Sequence, residues 1–534
     1  MERSNTIITI GRRSLIQAGA ASLAARPSRA QAAARTLVFV PQANLTSLDP
    51  IWTTATVTRN FAYLVYDTLY GIDGQLTPRP QMAQGHAVTP DGLVWTITLR
   101  PGLRFHDGAP VLARDCLASV HRWMQRDSLG QTVAARLDSV AAPDDRTLVF
   151  RLRRPFPRLD WALGKPMPSA CFIMPERLAR TDPFKAVTEA VGSGPFRFLA
   201  GEYVPGSNAA FARFEEYVPR EEPADGTAGG KQARVDRVEW RVLPDAATAV
   251  AALRAGEVDW VEQPQADLVP MLRADPSVLV GTLDRFGLYP VLRFNCIEGP
   301  TARQGVRQAI MAAVDPAEVM LAVMGDDRAG WQAPVGCFLP GTPSASEAGF
   351  QRLGGPDRMA GARQILASSG YDGERLVLLH PTDQPAYDAM AQVTAAACLS
   401  LGLRVDDQAM DYGTVVRRRA SREPLDRGGW SMFASSFPAL DFVDPLGAPP
   451  LRGNSDAAWF GWPDEPAVEA LRDAWLDATD DAERASLAAR MQEAILTYAS
   501  FVPLGQYKPR TAYSRRLSGL VAAALPVFWG VKKQ

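Results

Sequence analysis

A mixed α/β fold divided into two or three lobes is what this sequence predicts, and three observations carry the expectation. The chain has 534 residues, more than one hydrophobic core usually organises. Short runs with a two-residue apolar alternation recur along it, and stretches with helical apolar spacing fall between them. The composition, 47% hydrophobic and 22% charged, is that of an ordinary globular protein.

The elements follow in order. Leu37-Val38-Phe39-Val40 predicts a buried strand. Residues 94–100 alternate strictly, with Trp95, Ile97 and Leu99 on one face and Thr96, Thr98 and Arg100 on the other. Leu148, Phe150 and Leu152 repeat the pattern, as do Val238, Trp240 and Val242. Val306, Ala309, Ile310 and Ala313 form a helical stripe closed by Asp315-Pro316, and Leu487, Met491 and Ile495 form another. Val468, Leu471 and Trp475 form a third, begun at Asp464-Glu465-Pro466 with proline in the first turn. Helices between strands that pair out of sequence order define the class. The polar stretch 219–234, with Gly226, Gly229 and Gly230, predicts an exposed excursion between strands. There is no internal repeat.

Residues 1–34 have the makings of an export signal. Arg12-Arg13-Ser14-Leu15-Ile16-Gln17 resembles the twin-arginine consensus, and the apolar run at 15–25 is far too short to span a bilayer. Arg26 and Arg29 follow it, and Ala30-Gln31-Ala32 or Ala32-Ala33-Ala34 offers a cleavage site. Removing 1–34 takes away five Arg and one Glu and leaves 52 basic and 57 acidic residues, a net charge of −5. Such a surface gives no electrostatic reason to bind nucleic acid or an anionic membrane. The five cysteines, Cys116, Cys171, Cys296, Cys337 and Cys398, are scattered and form no CxxC pair, so buried unpaired thiols are expected.

Several strings tempt an enzymatic reading and fail on geometry. His106 and Asp107 are adjacent, which on a strand would put them on opposite faces, and Asp107-Gly108 is a turn signal. Gly192-Ser193-Gly194-Pro195 lacks the spacing of a nucleophile elbow, and Pro195 would obstruct the helix that must follow one. Gly229-Gly230-Lys231 has no upstream glycine at phosphate-loop spacing. The four histidines, His86, His106, His121 and His380, never fall at i, i+4. No catalytic residue, cofactor or metal site is therefore expected.

Taken together, the same strings resemble the extracellular solute-binding proteins of family 5. The fullest match runs from Asp91-Gly92-Leu93-Val94-Trp95 through Arg100-Pro101-Gly102 and Phe105-His106-Asp107-Gly108 to Asp115. Others follow in order: Leu48-Asp49-Pro50, Asp67-Thr68-Leu69, residues 192–198, Gly256-Glu257-Val258-Asp259, Phe294-Asn295, Val306-Arg307-Gln308, Gly429-Trp430 and Asp444-Pro445. Arg307, on the polar side of its helix, is expected to pair with a carboxylate.

The resemblance implies a two-lobed periplasmic binding protein of type II (cluster C) with an extra domain in the first lobe. Lobe I would comprise 35–78, 192–292 and 508–534, the inserted domain 79–191, and lobe III 293–507. It also implies a monomeric periplasmic receptor that captures a small organic solute, peptide-like or amino-acid-derived, by hinge closure. The receptor would deliver that solute to an inner-membrane ABC permease with its ATPase subunits. The alternatives are a receptor for a metal chelate or opine, and more remotely a secreted hydrolase or chaperone. By the same resemblance Trp430 borders the ligand, Arg59 holds a carboxylate and Tyr63 lies beside it. Phe433 occupies the position where peptide receptors carry an amine-binding aspartate, and Asp441 could substitute. An aromatic ring cannot offset the desolvation of an ammonium as a carboxylate does.

Overall fold

The computed structural model describes residues 35–534 except 355, 356 and 479. The expected export signal at 1–34 lies outside the described residues.

Two large sheets dominate. In the first, the strands run in the order Phe196–Phe198, Asn208–Arg213, Arg237–Arg241, Thr36–Val40, Trp260–Val261, Thr511–Ser514 and Val278–Gly281. The central three are parallel, with Phe39 opposite both Trp240 and Trp260. Strands buried on both faces need apolar residues at every position, and Leu37-Val38-Phe39-Val40 supplies them. Leu37 and Phe39 enter an aromatic core with Trp240, Trp260 and Phe528, while Val38 and Val40 pack against the helix Ala246–Ala255. The Phe39 ring lies 5.0 to 5.6 Å from those of Trp240, Trp260 and Phe528.

The second sheet runs Trp331–Gln332, Gln506–Tyr507, Leu288–Phe294, Met432–Pro438, Arg375–Pro381 and Arg404–Met410, with Phe501–Pro503 also paired to Leu288–Phe294. Arg375–Pro381 is parallel to both of its neighbours. A smaller antiparallel sheet of four strands contains Val94–Leu99 and Thr147–Leu152, whose alternation buries Trp95, Ile97, Leu99, Leu148, Phe150 and Leu152 as expected. The chain passes between the two large sheets at 282–287 and again at 508–510.

The small sheet shares one apolar core with the second large sheet. Polar contacts reinforce that seam. Arg136 donates to Asp477 at 2.7 Å and Arg154 reaches the same carboxylate. Arg472 donates to Thr132 at 2.9 Å, and Arg158 lies 3.2 Å from Asp444.

Aspartates of the recurring strings knit distant segments together. Asp49 accepts from Ile51 and Val187 backbone N–H groups and pairs with Arg122 at 2.6 Å. Asp67 pairs with Lys231 at 2.7 Å, and Asp259 accepts from the Val38 N–H while pairing with Lys533 at 2.7 Å. Asp127 and Lys165 meet at 2.6 Å. All eight side chains are at most 10% exposed.

Two expectations are corrected. Residues 226–231 are buried, not exposed. They lie against Gly71, which has no room for a Cβ beside the Thr227 carbonyl, and Lys231 must reach Asp67. Arg307 pairs with no carboxylate among the described residues; it donates to the carbonyls of Thr301, Ala302, Tyr498 and Ala499 at 2.9 to 3.0 Å. The last two close the helix Asp481–Tyr498, whose final carbonyls lack intrahelical donors. Asp315-Pro316 begins a second helix, Pro316–Met324, capped by Asp315. Glu465 precedes the helix Pro466–Asp477 without a side-chain cap. The thiols are all unpaired; Cys116, Cys171, Cys337 and Cys398 are buried, and Cys296 is partly exposed.

Removing one partner of a buried pair strands the other charge, at about 3–5 kcal/mol. Lys231→Met should therefore lower the thermal midpoint strongly, and Asp67→Asn added to it should recover much of the loss. Additive losses in that double-mutant cycle would show that the two side chains do not interact.

Candidate functional site

In open α/β sheets, ligands meet the carboxyl ends of the parallel strands, where connections diverge and backbone groups remain free. In the first sheet those ends, Val40 and Val261, lead to Gln42 and Glu262. In the second, Pro381, Met410 and Pro438 lead to Tyr387, Tyr412 and Asp441. Between the sheets lies a partly open cleft lined by Thr56, Arg59, Trp260, Glu262 and Asp284 on one side and Leu288 and Pro438 on the other.

Arg59 comes from the helix Thr56–Val65, nine of whose ten residues are buried. Its Nε and Nη2 donate to Asn60 Oδ1 at 3.1 and 2.9 Å. Asn60 Nδ2 in turn donates to Glu262 at 2.9 Å, and the Gln42 N–H donates to the other Glu262 oxygen at 2.8 Å. Burial pushes the Glu262 carboxyl up to about 7, against the opposing pull of the Gln42 N–H, Arg59 and Asn60. Burial likewise lifts Asp284 to about 6 and Asp441 to about 7, with Arg59 acting against each rise. Asp441 is 4% exposed, and its Oδ1 has no hydrogen-bond partner. Lys165, also within reach of Asp441, is already paired with Asp127. One guanidinium therefore faces three carboxyl groups in a poorly hydrated space. That environment favours a cation in the cleft.

The remaining candidates sit elsewhere. Sequence resemblance gives Arg59 a solute carboxylate to hold, yet its neighbours here are acids. Tyr63 is 1% exposed, its ring 4.9 Å from that of Phe172 and its hydroxyl 3.4 Å from the Lys165 carbonyl. Trp430 has no exposed surface; its indole N–H donates to the Ser421 carbonyl at 3.2 Å. Phe433, 1% exposed, joins it in an apolar cluster with Val377, Leu379, Val415 and Trp462. Arg59 and Asp441 are brought together; Trp430 and Phe433 belong to the core behind the second sheet. Glu262, Asp284, Tyr387 and Tyr412 escaped the sequence reading. Three of them follow strand ends, a signal that needs the strand order to be read.

The tempting strings are structural. Asp107 accepts from the Ala109 N–H at 3.1 Å, closing its own turn. His106 bonds the Gly194 carbonyl at 3.0 Å, and burial lowers its pKa to about 4. Gly192 and Gly194 pack where the Leu64 and Val65 carbonyls leave no room for a side chain.

Residues 77–454 match the model of bacterial extracellular solute-binding proteins, family 5. The chain belongs to that family: its class of work is solute capture, and family 5 is not an enzyme class. It is 38% identical over 539 residues to the "Probable peptide ABC transporter periplasmic-binding protein y4tO" of Sinorhizobium fredii, covering 98% of this chain and 100% of the relative. It is 26% identical to the glutathione-binding protein GsiB of Pectobacterium atrosepticum, with 96% of each chain covered. Among solved structures it resembles the binding protein AgaA of A. tumefacien R10 in complex with agropinic acid (TM-score 0.77, 19% identity, 93% and 99% covered). It also resembles DppA of Helicobacter pylori in complex with the peptide STSA (TM-score 0.76, 20% identity, 93% and 98% covered). The fold is thus that of a type II periplasmic binding protein.

Two outcomes test this geometry. The three carboxyls keep their protons to higher pH in the folded chain than in the unfolded one, where values near 4 are usual. Folding therefore takes up protons between about pH 4 and 7, and the native state loses stability as the pH rises through that window. Asp441→Asn removes one such loss, so its thermal midpoint relative to wild type should climb from pH 4.5 to pH 8; a flat difference would refute the assignment. Trp430→Ala should cost about 3–5 kcal/mol of stability, as large buried truncations do, measured by urea unfolding.

Proposed function

We propose that the protein is the periplasmic receptor of an ABC importer, binding a small amino-acid-derived or peptide-like solute between the two large sheets and closing over it. The observation that carries this reading is Asp441: a buried carboxyl group whose Oδ1 has no hydrogen-bond partner among the described residues, following a parallel-strand end and within electrostatic reach of Arg59. A solute ammonium placed there would complete the electrostatics of the site, which an aromatic ring at Phe433 could not do. The relatives' printed ligands, a peptide, glutathione and agropinic acid, are amino-acid-derived and support the same class. Agropinic acid keeps the opine reading as the second choice.

The reading includes the expected division into 35–78, 192–292 and 508–534, then 79–191, then 293–507, with one adjustment. The strand Leu288–Phe294 lies in the second sheet, so the first crossing ends before it. Movement about 282–287 and 508–510 would open the cleft, and a solute touching both sides would favour the closed form by its differential affinity for it. Micromolar capture needs about −8 kcal/mol, within reach of enclosure without covalent chemistry. The solute leaves unaltered for the membrane permease and its ATPase subunits, and the receptor acts as a monomer. No helix among the described residues is long and apolar enough to cross a membrane. Export through the twin-arginine signal at 1–34, cleaved near Ala32-Ala34, belongs to the same proposal.

Small-angle scattering should show the purified mature chain becoming more compact when a stabilising amino-acid-derived solute is added. Asp441→Asn should weaken binding of an amine-bearing solute about 10- to 100-fold, the worth of a charged hydrogen bond. Unchanged affinity, or a chemically altered solute recovered after incubation, would overturn the reading.

A further inference from the structure

Behind the two crossings, one carboxylate gathers contacts from both halves of the molecule. Pro509 and Thr511 line the cleft, whereas Arg510, between them at the mouth of the strand Thr511–Ser514, does not. Successive side chains along an extended segment point to opposite sides, so Arg510 faces away from the cleft. There its Nη1 donates to Thr282 Oγ1 at 2.6 Å, and its Nε and Nη2 reach Asp327 Oδ2 at 2.7 and 2.6 Å. Thr282 belongs to the first crossing and Arg510 to the second, so one side chain pins the two together.

Asp327 travels with the second sheet. It lies in the turn between the helix Pro316–Met324 and the strand Trp331–Gln332, and the Lys508 N–H donates to the Gly330 carbonyl of that turn at 2.7 Å. Arg273 comes from the other body. It ends the helix Val269–Arg273, whose Leu272 packs with Val38, Val40 and Val261 of the first sheet. Its guanidinium lies 3.7 Å from the same Asp327 oxygen, and its side chain is 53% exposed. Among the described residues, Arg273 meets no other carboxylate within 4.0 Å.

The crossings, joined by Arg510, mark the axis. Rotation that narrows the cleft in front of an axis widens the gap behind it. Closure therefore stretches Arg273 and Asp327 beyond 3.7 Å, already near the outer limit of a useful ion pair, and opening draws them together. We propose that Arg273 and Asp327 form a latch behind the hinge that favours the open form, so that every solute must stretch it to be enclosed. This rests on the receptor reading and adds a control of affinity that lies outside the cleft. Its signature is uniformity: a bias between open and closed forms scales the affinity of every solute by one factor, whereas a contact in the cleft acts on solutes unequally. A pair half in water is also screened by salt.

Small-angle scattering of the ligand-free mature chain reads the balance directly. At low salt Arg273→Ala should have a smaller radius of gyration than wild type, and Arg273→Glu, which repels Asp327, should be at least as compact. Wild type should approach both at about 0.5 M NaCl, where screening acts within a few ångströms. Calorimetry with glutathione, Ala-Tyr and agropinic acid gives the second reading. Each probe that binds wild type should bind Arg273→Ala about two- to fivefold more tightly at low salt, the worth of a half-exposed pair, and all by the same factor. Should Arg273→Ala not fold by circular dichroism, Arg273→Gln, which keeps the aliphatic stem, is read in its place. A wild type that compacts around a bound probe, beside an Arg273→Ala with the same radii and affinities, overturns the latch alone. Weaker binding by the variant, or gains that differ from probe to probe, does so too. A bound probe that compacts neither chain removes the closure reading as well. If no probe binds, the ligand-free radii decide.

Discussion

The structure depends on a contrast between carboxylates that are fully matched and carboxylates that are not. Taking a charge out of water costs several kcal/mol unless a counter-charge and hydrogen bonds replace the solvent. Asp49, Asp67, Asp127 and Asp259 meet that condition with Arg122, Lys231, Lys165 and Lys533. Most of these pairs join segments far apart in the chain. Asp49–Arg122 ties the first parallel strand's outgoing loop to the helix Ala113–Arg126, and Asp259–Lys533 ties the C-terminus to the central strands. Glu262, Asp284 and Asp441 are not matched in this way: Arg59 is within reach of all three and can neutralise only one. The matched set fixes the walls, and the unmatched set gives the cleft between them its polarity.

Topology decides where the unmatched set can be. Both large sheets contain three consecutive parallel strands, and the segments after their carboxyl ends carry Glu262 in the first sheet and Asp441 in the second. The buried faces of those strands are saturated with apolar side chains, Leu376 and Leu378 on one side and Val377 and Leu379 on the other. The strand ends are thereby left as places where a buried charge can await an external partner without breaking a core.

This division also explains what the sequence could and could not show. Alternation located the strands around Trp95, Phe150 and Trp240, because each buries one face of its side chains and exposes more of the other. The recurring aspartates were visible as a family pattern, but their partners were not, since Lys231 lies 164 positions from Asp67 and Lys533 lies 274 from Asp259. Arg307 looked like a surface cation because its helix is amphipathic. The acceptors it serves are carbonyls at the end of another helix, and no pattern of side chains reveals those. Trp430 and Phe433 drew attention as aromatics near a familiar Gly-Trp pair. Phe433 lies on the strand Met432–Pro438 and Trp430 just before it, and both pack into an interior cluster. Asp441 was legible as a candidate from spacing alone. Its lack of a hydrogen-bond partner could be seen only in three dimensions.

The seam between the small sheet and the second large sheet bears on how the molecule opens. Asp477 is gripped by Arg136 and Arg154, and Arg472 spans to Thr132 while also donating to the Pro445 carbonyl. The small sheet is joined by the chain to the first sheet's side, so in the proposed opening about the two crossings the second sheet would have to part from these contacts as well. In that motion they would act as a clasp whose tightness sets how readily the jaws part. Residence time of a bound guest could thus be retuned by changes at this outlying seam, leaving chemical selectivity untouched.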